Sequence, residues 1–325
     1  MSAPTEAPPS APDRAPAAEP AKRVVRIGDR IFSGSTVFAG SLILVVLAAV
    51  AIFLIVQSGP AFTANADEVP GPSEDFWSYV GPLVFGTVWA AFLALVLATP
   101  MAIGIALFIS HYAPRKLAQG LGYVIDLLAA VPSVVFGLWG VLTLARFVQP
   151  FYQWLGDNLG WIPLFSGIVS GSGKTILTGA IVLAVMVLPI MTAVCREVFL
   201  QAPRLHEEAA LALGATRSEM IRMAVLPFAR SGIVSAIMLG LGRALGETLA
   251  IAMVLSPALV ISPQLLTSQN PNTIAANIAL QFAEATGKGV NILIATGLIL
   301  FIITFVVNFV ARAIVARRAA FSGAN

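Results

Sequence analysis

Six long apolar segments run through this sequence, and they leave few folds open to it. A helix that crosses a lipid bilayer needs about 20 predominantly apolar residues, because it must satisfy its backbone polar groups internally. The predicted segments are Val37–Val56, Val80–Ile109, Gln119–Phe147, Thr175–Leu200, Ser231–Leu255 and Val290–Ala311. The sequence therefore predicts an all-α fold, a polytopic membrane helix bundle with six transmembrane helices. Kinks or breaks are expected at Pro100, Pro132 and Pro189.

Composition supports the same class of protein. Hydrophobic residues make up 58% of the chain and charged residues 11%, against about 45–50% and about 25% in soluble domains. Cys195 is the single cysteine, and His111 and His206 are the two histidines, so we predict no intrachain disulfide, metal centre or cofactor. The net charge of +3 is too small to indicate nucleic acid as a partner. We expect the apolar segments of the chain to be surrounded by membrane lipid.

The chain ends differ in composition from the apolar region. Residues 1–21 are rich in Ala, Pro, Glu and Ser and carry almost no large apolar side chains, which predicts disorder. They do not resemble a signal peptide, because the first long apolar run begins only at Val37. We predict a disordered, basic tail over 1–30, a transmembrane domain over 31–318 and a short tail over 319–325.

The distribution of Lys and Arg predicts the orientation of the spans. One set of connections and ends is rich in basic residues. These are Arg14, Lys22, Arg23, Arg26, Arg30, Arg115, Lys116, Arg204, Arg217, Arg222, Arg230, Arg312, Arg317 and Arg318. The opposite side has Lys174 and Lys288, with Arg146 at its border. Both termini are therefore predicted to be cytoplasmic.

Two charged residues interrupt the fifth apolar segment. Arg243 is the thirteenth of the 25 residues from Ser231 to Leu255, a position near the membrane midplane in a continuous helix. An arginine there costs roughly 2.5–3.5 kcal/mol on insertion scales, and such charges usually face a bundle interior or a solute path. Glu247 follows four residues later, so the spacing predicts that it pairs with Arg243.

Two interpretations of this pair remain open. Arg243 and Glu247 are either a buried ion pair that fixes helix register, or part of a path for an anion. Thr248, Ser133 and Asp126 are further candidates for the path. The hydroxyl groups often satisfy backbone carbonyls instead, and Asp126 fits a helix end near the cytoplasmic surface at least as well. Gly242 and Gly246 are spaced to let a neighbouring helix approach closely.

The fourth connection has the pattern of two short helices joined by a glycine. Glu207 and Glu208 follow Pro203, where acids favour a helix N-terminus. Gly214 ends this helix, and Thr216 with Glu219 forms a capping-box pattern that begins another. An ordinary solvated loop is the alternative interpretation. The connection between the fifth and sixth segments predicts one more short helix, near Thr273–Ala285, as a contact for an external partner.

A sequence at residues 170–175, Ser-Gly-Ser-Gly-Lys-Thr, imitates a nucleotide-binding P-loop. The P-loop pattern requires a glycine at position 168, where this chain has Ile168, and it requires a preceding strand that is not predicted here. We therefore interpret the segment as a flexible turn before the fourth span.

The fourth connection resembles the EAA loop of ABC-importer permeases, the segment that docks on an ATPase subunit. The resemblance rests on Glu208, Ala209, Ala210 and Gly214, and on Leu226 with Pro227, within a predicted coupling loop over 201–228. Ala224 departs from the isoleucine that is usual there. Small residues at 209 and 210 would let another protein approach the helix backbone closely.

Three further segments resemble the permeases of the phosphate-specific transport (Pst) system. They are Leu239–Thr248, Asp126–Ser133 and Phe282–Ala285. The resemblance implies a type I ABC-importer permease that imports inorganic phosphate across a bacterial plasma (inner) membrane. It also implies a PstA-like second permease in a heterodimer, two copies of a PstB-like ATPase and a PstS-like external phosphate-binding protein. The chain itself would not be an enzyme. The alternatives are a permease for sulfate, molybdate or phosphonate, an ion-coupled secondary transporter, or a membrane scaffold.

Overall fold

The computed structural model describes residues 27–64 and 68–319. The predicted tails fall mainly on residues 1–26 and 320–325, outside the described residues, and the division into three parts remains a prediction. The chain separates into two compact units, residues 1–50 and 51–325. In the first unit the described residues are entirely helical and form the beginning of helix α1.

The described residues are mostly helical. The helices are α1 (Ile27–Ser58), α2 (Phe76–Leu107), α3 (Arg115–Ala129), α4 (Ser133–Trp139), α5 (Ala145–Leu159), α6 (Ile176–Leu200), α7 (Arg204–Ala212), α8 (Arg217–Met220), α9 (Leu226–Leu245), α10 (Leu249–Val254), α11 (Ile274–Gln281) and α12 (Lys288–Ala319). Two short strands, β1 (Pro257–Ala258) and β2 (Asn270–Pro271), pair in parallel. This pair does not change the predicted all-α class.

Six helical stretches in the described part of the chain are long and apolar enough to cross a membrane. They are Gly28–Thr63, Phe76–Tyr112, Ser133–Leu159, Ile176–Leu200, Arg217–Leu245 and Lys288–Ala313. The predicted number of spans is confirmed. Pro100 and Pro189 lie inside the continuous helices α2 and α6, so the helix breaks at neither of them.

The predicted third segment, Gln119–Phe147, is wrong at both ends. Its first part belongs to α3, a separate amphipathic helix, and the span begins only at Ser133. Pro132 precedes the span in an extended conformation and disfavours helical geometry in Val131 before it. The sequence had suggested a kink at this proline, but the helix ends at Ala129. Asp126 therefore lies in α3 and not in a span.

The predicted fifth segment, Ser231–Leu255, is also wrong. The helix begins at Arg217, runs through α8, a π-helical turn at Ile221–Val225 and α9, and ends at Leu245. The π-helical turn ends two residues before Pro227, whose missing N–H and bulky ring disrupt the regular helical ladder. Arg243 thus lies in the last turn of a long helix, and α10 follows as a short separate helix.

Helices α2 and α6 pack together at the centre of the second unit. Small side chains recur on α2 every four residues, and all of them are fully buried or nearly so. They are Ala90, Ala94, Ala98 and Ala102. This spacing places a narrow stripe along one face of α2, against which Leu183, Val187 and Met191 of α6 form the main core cluster. The stripe holds the two spans at close distance.

The Asn270 side chain connects two segments at the end of the bundle that contains α11. The Asn270 side chain is fully buried; its Oδ1 accepts a hydrogen bond from the Ile176 N–H at 2.7 Å, and its Nδ2 donates to the Lys174 carbonyl at 3.1 Å. Thr273 caps α11 by accepting the Ala276 N–H at 3.3 Å. The predicted short helix in this connection is confirmed, although it ends at Gln281.

Candidate transport path and coupling segment

Arg243 lines a cavity between α6, α9 and α12. The cavity has a volume of about 700 Å³. It is lined by Ile190 of α6, by Val234, Ser235, Met238, Leu239, Gly242 and Arg243 of α9, and by Asn308, Ala311 and Arg312 of α12. Most of these side chains are apolar, so Arg243 lies against walls that lower the local dielectric and strengthen electrostatic interactions, whereas Arg312 is exposed.

The Arg243 guanidinium has no partner in the described part of the chain. Its Nε is buried without a hydrogen-bond partner, and the ion pairs among residues 27–64 and 68–313 are His111–Glu207 and Lys288–Glu68. A buried donor without a partner costs about 1–3 kcal/mol, and more when it is charged. Because Arg312 lines the same cavity, two cations face a space that an anion would stabilise.

Glu247 does not form the predicted pair with Arg243. The helix that would place the two residues one turn apart ends at Leu245, so the four-residue spacing no longer puts them on one face. The Glu247 carboxylate is buried, and its Oε1 accepts the backbone N–H of Ala250 at 3.1 Å. Glu247 lies one residue before the N-cap position, Thr248, and binds a backbone N–H of the first turn of α10.

The other predicted path residues do not line this cavity. Thr248 donates a hydrogen bond from its Oγ1 to the Gly246 carbonyl at 3.2 Å, Ser133 is the half-buried first residue of α4, and Asp126 is exposed on α3. The exposure of Asp126 agrees with its interpretation as a surface residue. Any path role for these three residues remains a prediction.

Sequence reasoning missed the contribution of α12 to this cavity. The sequence pattern places Arg312 only at the positive end of the last span and gives no role to Asn308. A signal is nevertheless present, because Asn308 and Arg312 are four residues apart in a mostly apolar helix and so lie on one face. What the sequence did not show was that this face meets α9.

The contacts of the glycines in and just after α9 differ from those predicted. A Cβ at Gly242 would meet nothing within 4 Å, because this glycine lines the cavity. A Cβ at Gly240 would come within 2.7 Å of Met191 Sδ, so Gly240 is the glycine that allows α9 to approach α6. The prediction of a close helix contact at Gly242 and Gly246 is wrong within this chain.

The connection between α6 and α9, the coupling segment (residues 201–228), has the predicted helix, glycine turn and second helix. Helix α7 ends before Gly214, whose φ of +86° is in the left-handed region that favours glycine. Thr216 accepts the Glu219 N–H at 3.4 Å, and the Glu219 carboxylate accepts the Thr216 N–H at 2.8 Å. This reciprocal capping box begins α8 as the sequence predicted.

Helix α7 has no buried residue. Leu205 is 73% exposed and Leu213 is 90% exposed, and apolar side chains grouped on a surface in this way mark an interaction site. Glu208 and Ala209 are exposed as well, whereas Ala210 is half-buried and packs against the core. The close approach by another protein that the sequence predicted at both alanines is therefore available only at Ala209.

The coupling segment is fixed to the spans by its C-terminal half. Met220, Ile221 and Val225 are buried in a cluster with Phe199 of α6, and Leu226 packs against the same cluster. Pro227 follows as the exposed second residue of α9. At the other end of the segment, Glu207 Oε1 of α7 lies 3.5 Å from His111 Nε2, beyond the C-terminal end of α2. The segment is thus in contact with α6 and α9 and with His111 after α2.

The described residues thus form a bundle of spans with a charged cavity and an exposed helical connection, a combination that suits a transporter permease. The family model for "Binding-protein-dependent transport system inner membrane component" matches residues 98–320. A Mycobacterium tuberculosis protein named "Phosphate transport system permease protein PstC 2" is 45% identical over 304 residues, covering 90% of this chain and 93% of the relative. A Mesorhizobium japonicum protein named "Phosphate transport system permease protein PstC" is 38% identical, covering 91% and 92%.

The chain therefore belongs to the binding-protein-dependent inner membrane components and, among them, to the PstC permeases. A crystal structure of a bacterial ABC transporter involved in the import of the acidic polysaccharide alginate has a TM-score of 0.55 at 17% identity. It covers 89% of this chain and 99% of its own, and it shows the fold alone. The chain is a multi-pass membrane protein with a type I importer permease fold. The prediction of a permease subunit, not an enzyme, is confirmed by this family.

Proposed function

We propose that this chain forms, with a second permease subunit, the translocation path of an ATP-driven importer of inorganic phosphate. The observation that carries the proposal is the cavity in which Arg243 lies without an acidic partner among the described residues and faces the same space as Arg312. In a structural ion pair each arginine would have a carboxylate beside it. A cavity that supplies positive charge and hydrogen-bond donors without a counter-charge is suited to an anion.

The chemistry of the cavity fits an oxyanion. A phosphate that leaves water loses strong hydrogen bonds, and a guanidinium replaces several of them with charged, planar donors. Ser235 and Asn308 add a hydroxyl and an amide to the same cavity. Glu247 does not neutralise Arg243, so the positive potential remains available to the substrate. The apolar walls keep the site from holding the anion with a full shell of donors, which allows release.

The identity of the anion comes from the relatives. Arginine, hydroxyl and amide donors bind sulfate, molybdate and phosphonate as readily as phosphate, so the cavity alone does not choose among them. The curated relatives at 38–45% identity are named as phosphate transport permeases, and this supports phosphate over the other oxyanions. Family membership also disfavours the ion-coupled transporter and the scaffold.

ATP hydrolysis is assigned to partner subunits that dock on the coupling segment. The exposed face of α7 at Leu205, Ala209 and Leu213 is the proposed contact with a PstB-like ATPase, present in two copies. A PstA-like permease completes the heterodimer, and a PstS-like binding protein delivers phosphate at the end of the bundle that contains α11. This arrangement requires both chain termini and the coupling segment to be cytoplasmic, as the basic residues predict.

Uptake by the reconstituted complex tests the proposal. The permease pair, the ATPase and the binding protein are placed in proteoliposomes, and uptake of ³²P-phosphate is measured with and without ATP. We expect ATP-dependent uptake that excess arsenate, as a close isostere, reduces and that sulfate or molybdate leaves unchanged. Uptake of sulfate or molybdate in place of phosphate would reject phosphate as the substrate. Uptake that persists without the ATPase would reject the ABC mechanism.

A further inference from the structure

A second cavity with basic residues lies at the opposite end of the bundle from the coupling segment. It has a volume of about 500 Å³ and is bounded by the helical segment from the π-helical turn Gly140–Leu144 into α5 and by the turn at residues 171–174. Its polar lining consists of Arg146, Gln149, Ser172 and Lys174. The volume is in the range of small-molecule sites, about 300–1,000 Å³.

The turn that carries Lys174 packs on α5 and is held by hydrogen bonds, whereas the sequence suggested a flexible turn. Gly173 has a φ of +70°, and a Cβ there would lie 2.0 Å from the Ala145 carbonyl oxygen, so the turn packs directly on the beginning of α5. The Gly173 carbonyl accepts the Thr178 hydroxyl at 2.7 Å. The backbone N–H of Ser170 donates to the Leu266 carbonyl at 2.8 Å. These contacts hold Lys174 beside α5.

Neither cation of this cavity has an acidic partner in the described part of the chain. Three described carboxylates at this end are engaged elsewhere: Glu68 pairs with Lys288, Asp75 caps α2, and Asp157 accepts from Gln153. Glu74 and Glu284 do not line the cavity and form no ion pair among the described residues. Two unpaired cations that line one cavity repel each other unless an anion lies between them. Gln149 and Ser172 add hydrogen-bond donors, and the apolar Val141 and Leu142 complete the wall.

We propose that this cavity binds a tetrahedral oxyanion at the entrance of the path, before the anion reaches Arg243. The inference rests on the proposed function for the nature of the substrate, but it concerns a separate set of residues. The donors lie on two elements that face each other across a concave space, which favours a small ion over the flat acidic surface of a docked protein. In the proposed orientation the cavity is on the side where phosphate arrives.

Equilibrium binding to the assembled complex tests this site. The permease pair with its ATPase, without the binding protein, is incubated with ³²P-phosphate, and the bound fraction is measured for Arg146→Gln, Lys174→Gln and the double variant. Glutamine keeps a polar, hydrogen-bonding side chain but removes the charge and is shorter than lysine or arginine. Lys288→Gln is the matched control, because it removes one positive charge from the same end of the bundle, outside the cavity.

We expect each cavity variant to weaken phosphate binding about tenfold, as for loss of one charge-assisted hydrogen bond, and the double variant to weaken it further. The control should bind as the unmodified complex does. Unchanged phosphate binding in the double variant would overturn the proposal, as would an equal loss in the control. Loss of affinity for the binding protein with phosphate binding intact would assign the cavity to protein docking instead.

Failure of the proposed function gives a different result. If the complex binds sulfate and not phosphate, and the double variant weakens sulfate binding, the entrance site stands while the assignment of phosphate fails. If Arg243→Gln abolishes uptake and the double variant leaves both binding and uptake unchanged, the path stands and the entrance site fails.

Discussion

The α9–α12 cavity and the coupling segment differ in the range of the interactions that form them. The coupling segment is defined by hydrogen bonds and a turn within a few residues, among them the capping box of Thr216 and Glu219. The cavity is formed by residues far apart in sequence, such as Ile190, Arg243 and Arg312. One site is therefore specified locally, and the other exists only after the spans have packed.

This difference has a consequence for mutations. Changes on the exposed face of α7 act at a surface with no buried residue, so they should leave the spans folded and affect only the contact with another subunit. Changes in the cavity act on a charge that the fold leaves without a partner, so they should alter transport while the complex still assembles. Uptake and co-purification of the subunits, measured together, separate these two kinds of effect.

The largest effect is expected at Arg243. Arg243→Gln keeps hydrogen-bonding capacity but removes the charge that offsets the desolvation of an oxyanion, so uptake should fall at least about a hundredfold, as when one essential anion-binding donor is lost. Arg243→Lys should recover part of the activity, because an ammonium supplies the charge without the planar fork. Uptake by proteoliposomes and co-purification of the subunits are the measurements.

Arg230→Gln is the control for this change. Arg230 lies on the same helix but is exposed and does not line the cavity, so its loss should leave uptake within about twofold. Equal losses at both positions would indicate a general effect of net charge. Normal transport by an Arg243→Leu, Glu247→Leu double variant would reject the path role of Arg243.

Arg312→Gln should reduce uptake less than Arg243→Gln does. Arg312 is exposed near the end of α12 and its charge is better solvated, so we expect a loss of about tenfold, equivalent to about 1.4 kcal/mol. The measurement is the same uptake assay. An unchanged rate would mean that Arg312 only anchors the end of the span at the membrane surface.

The turn in the coupling segment gives the next effect. Gly214→Val places a β-branched residue at a φ of +86°, a conformation that costs L residues roughly 1–2 kcal/mol. We expect the turn to change, the ATPase to lose affinity and ATP-driven uptake to fall about fivefold to tenfold, with the spans still inserted. Co-purification of the ATPase with the permease pair is the direct measurement.

Gly120→Val is the matched control for the turn. Gly120 lies in α3 with helical geometry, and a Cβ there would meet nothing within 4 Å, as at Gly214. The two substitutions therefore differ in backbone conformation and not in available space. If Gly120→Val released the ATPase to the same extent as Gly214→Val, the left-handed turn would not be the cause.

The contrast between local and long-range interactions also explains which features could be predicted from the sequence. The Gly214 turn, the capping box at Thr216 and the short helix α11 depend on residues a few positions apart, and all three are present. The ends of two spans were wrong because Pro132 and Gly246 could each kink a helix or end it, and tertiary packing decides between these outcomes. Six spans were predictable because length and hydrophobicity alone determine them.

The candidate path was only partly predictable, for the same reason. Arg243 was found because a charge in an apolar segment needs an explanation in any fold. Its pairing with Glu247 was wrong, since it assumed a continuous helix past Leu245. Arg312 was missed because its place in the cavity depends on how α12 packs against α9, and a single sequence does not contain that information.

Substitutions of Glu247 separate a structural role of its carboxylate from a role of its charge in the transport path. The Glu247 carboxylate accepts the Ala250 N–H in the first turn of α10, and Glu247→Gln keeps an oxygen that can accept this hydrogen bond. We expect Glu247→Gln to leave stability nearly unchanged and to reduce uptake less than tenfold, whereas Glu247→Ala should cost about 1 kcal/mol of stability through loss of this hydrogen bond. Thermal unfolding and uptake are the measurements. Abolished uptake by a well-folded Glu247→Gln variant would show that the charge itself acts in the path.

The smallest effect is expected at Thr216, which tests whether the coupling segment is as local as its hydrogen bonds indicate. Thr216→Ala removes the hydroxyl that accepts the Glu219 N–H, a loss of about 1 kcal/mol at a helix N-cap. Because α8 is short and its cap is exposed, the cost should appear as local opening and not as unfolding of the spans. Amide hydrogen exchange over residues 216–220 should accelerate about fivefold, the factor that corresponds to about 1 kcal/mol, with uptake nearly unchanged.

Thr304→Ala is the control, since that hydroxyl donates only to the Phe301 carbonyl within α12. Faster exchange that extended into α9 or α6 would contradict the separation of the two regions, because it would mean that the cap also supports the packing that forms the cavity.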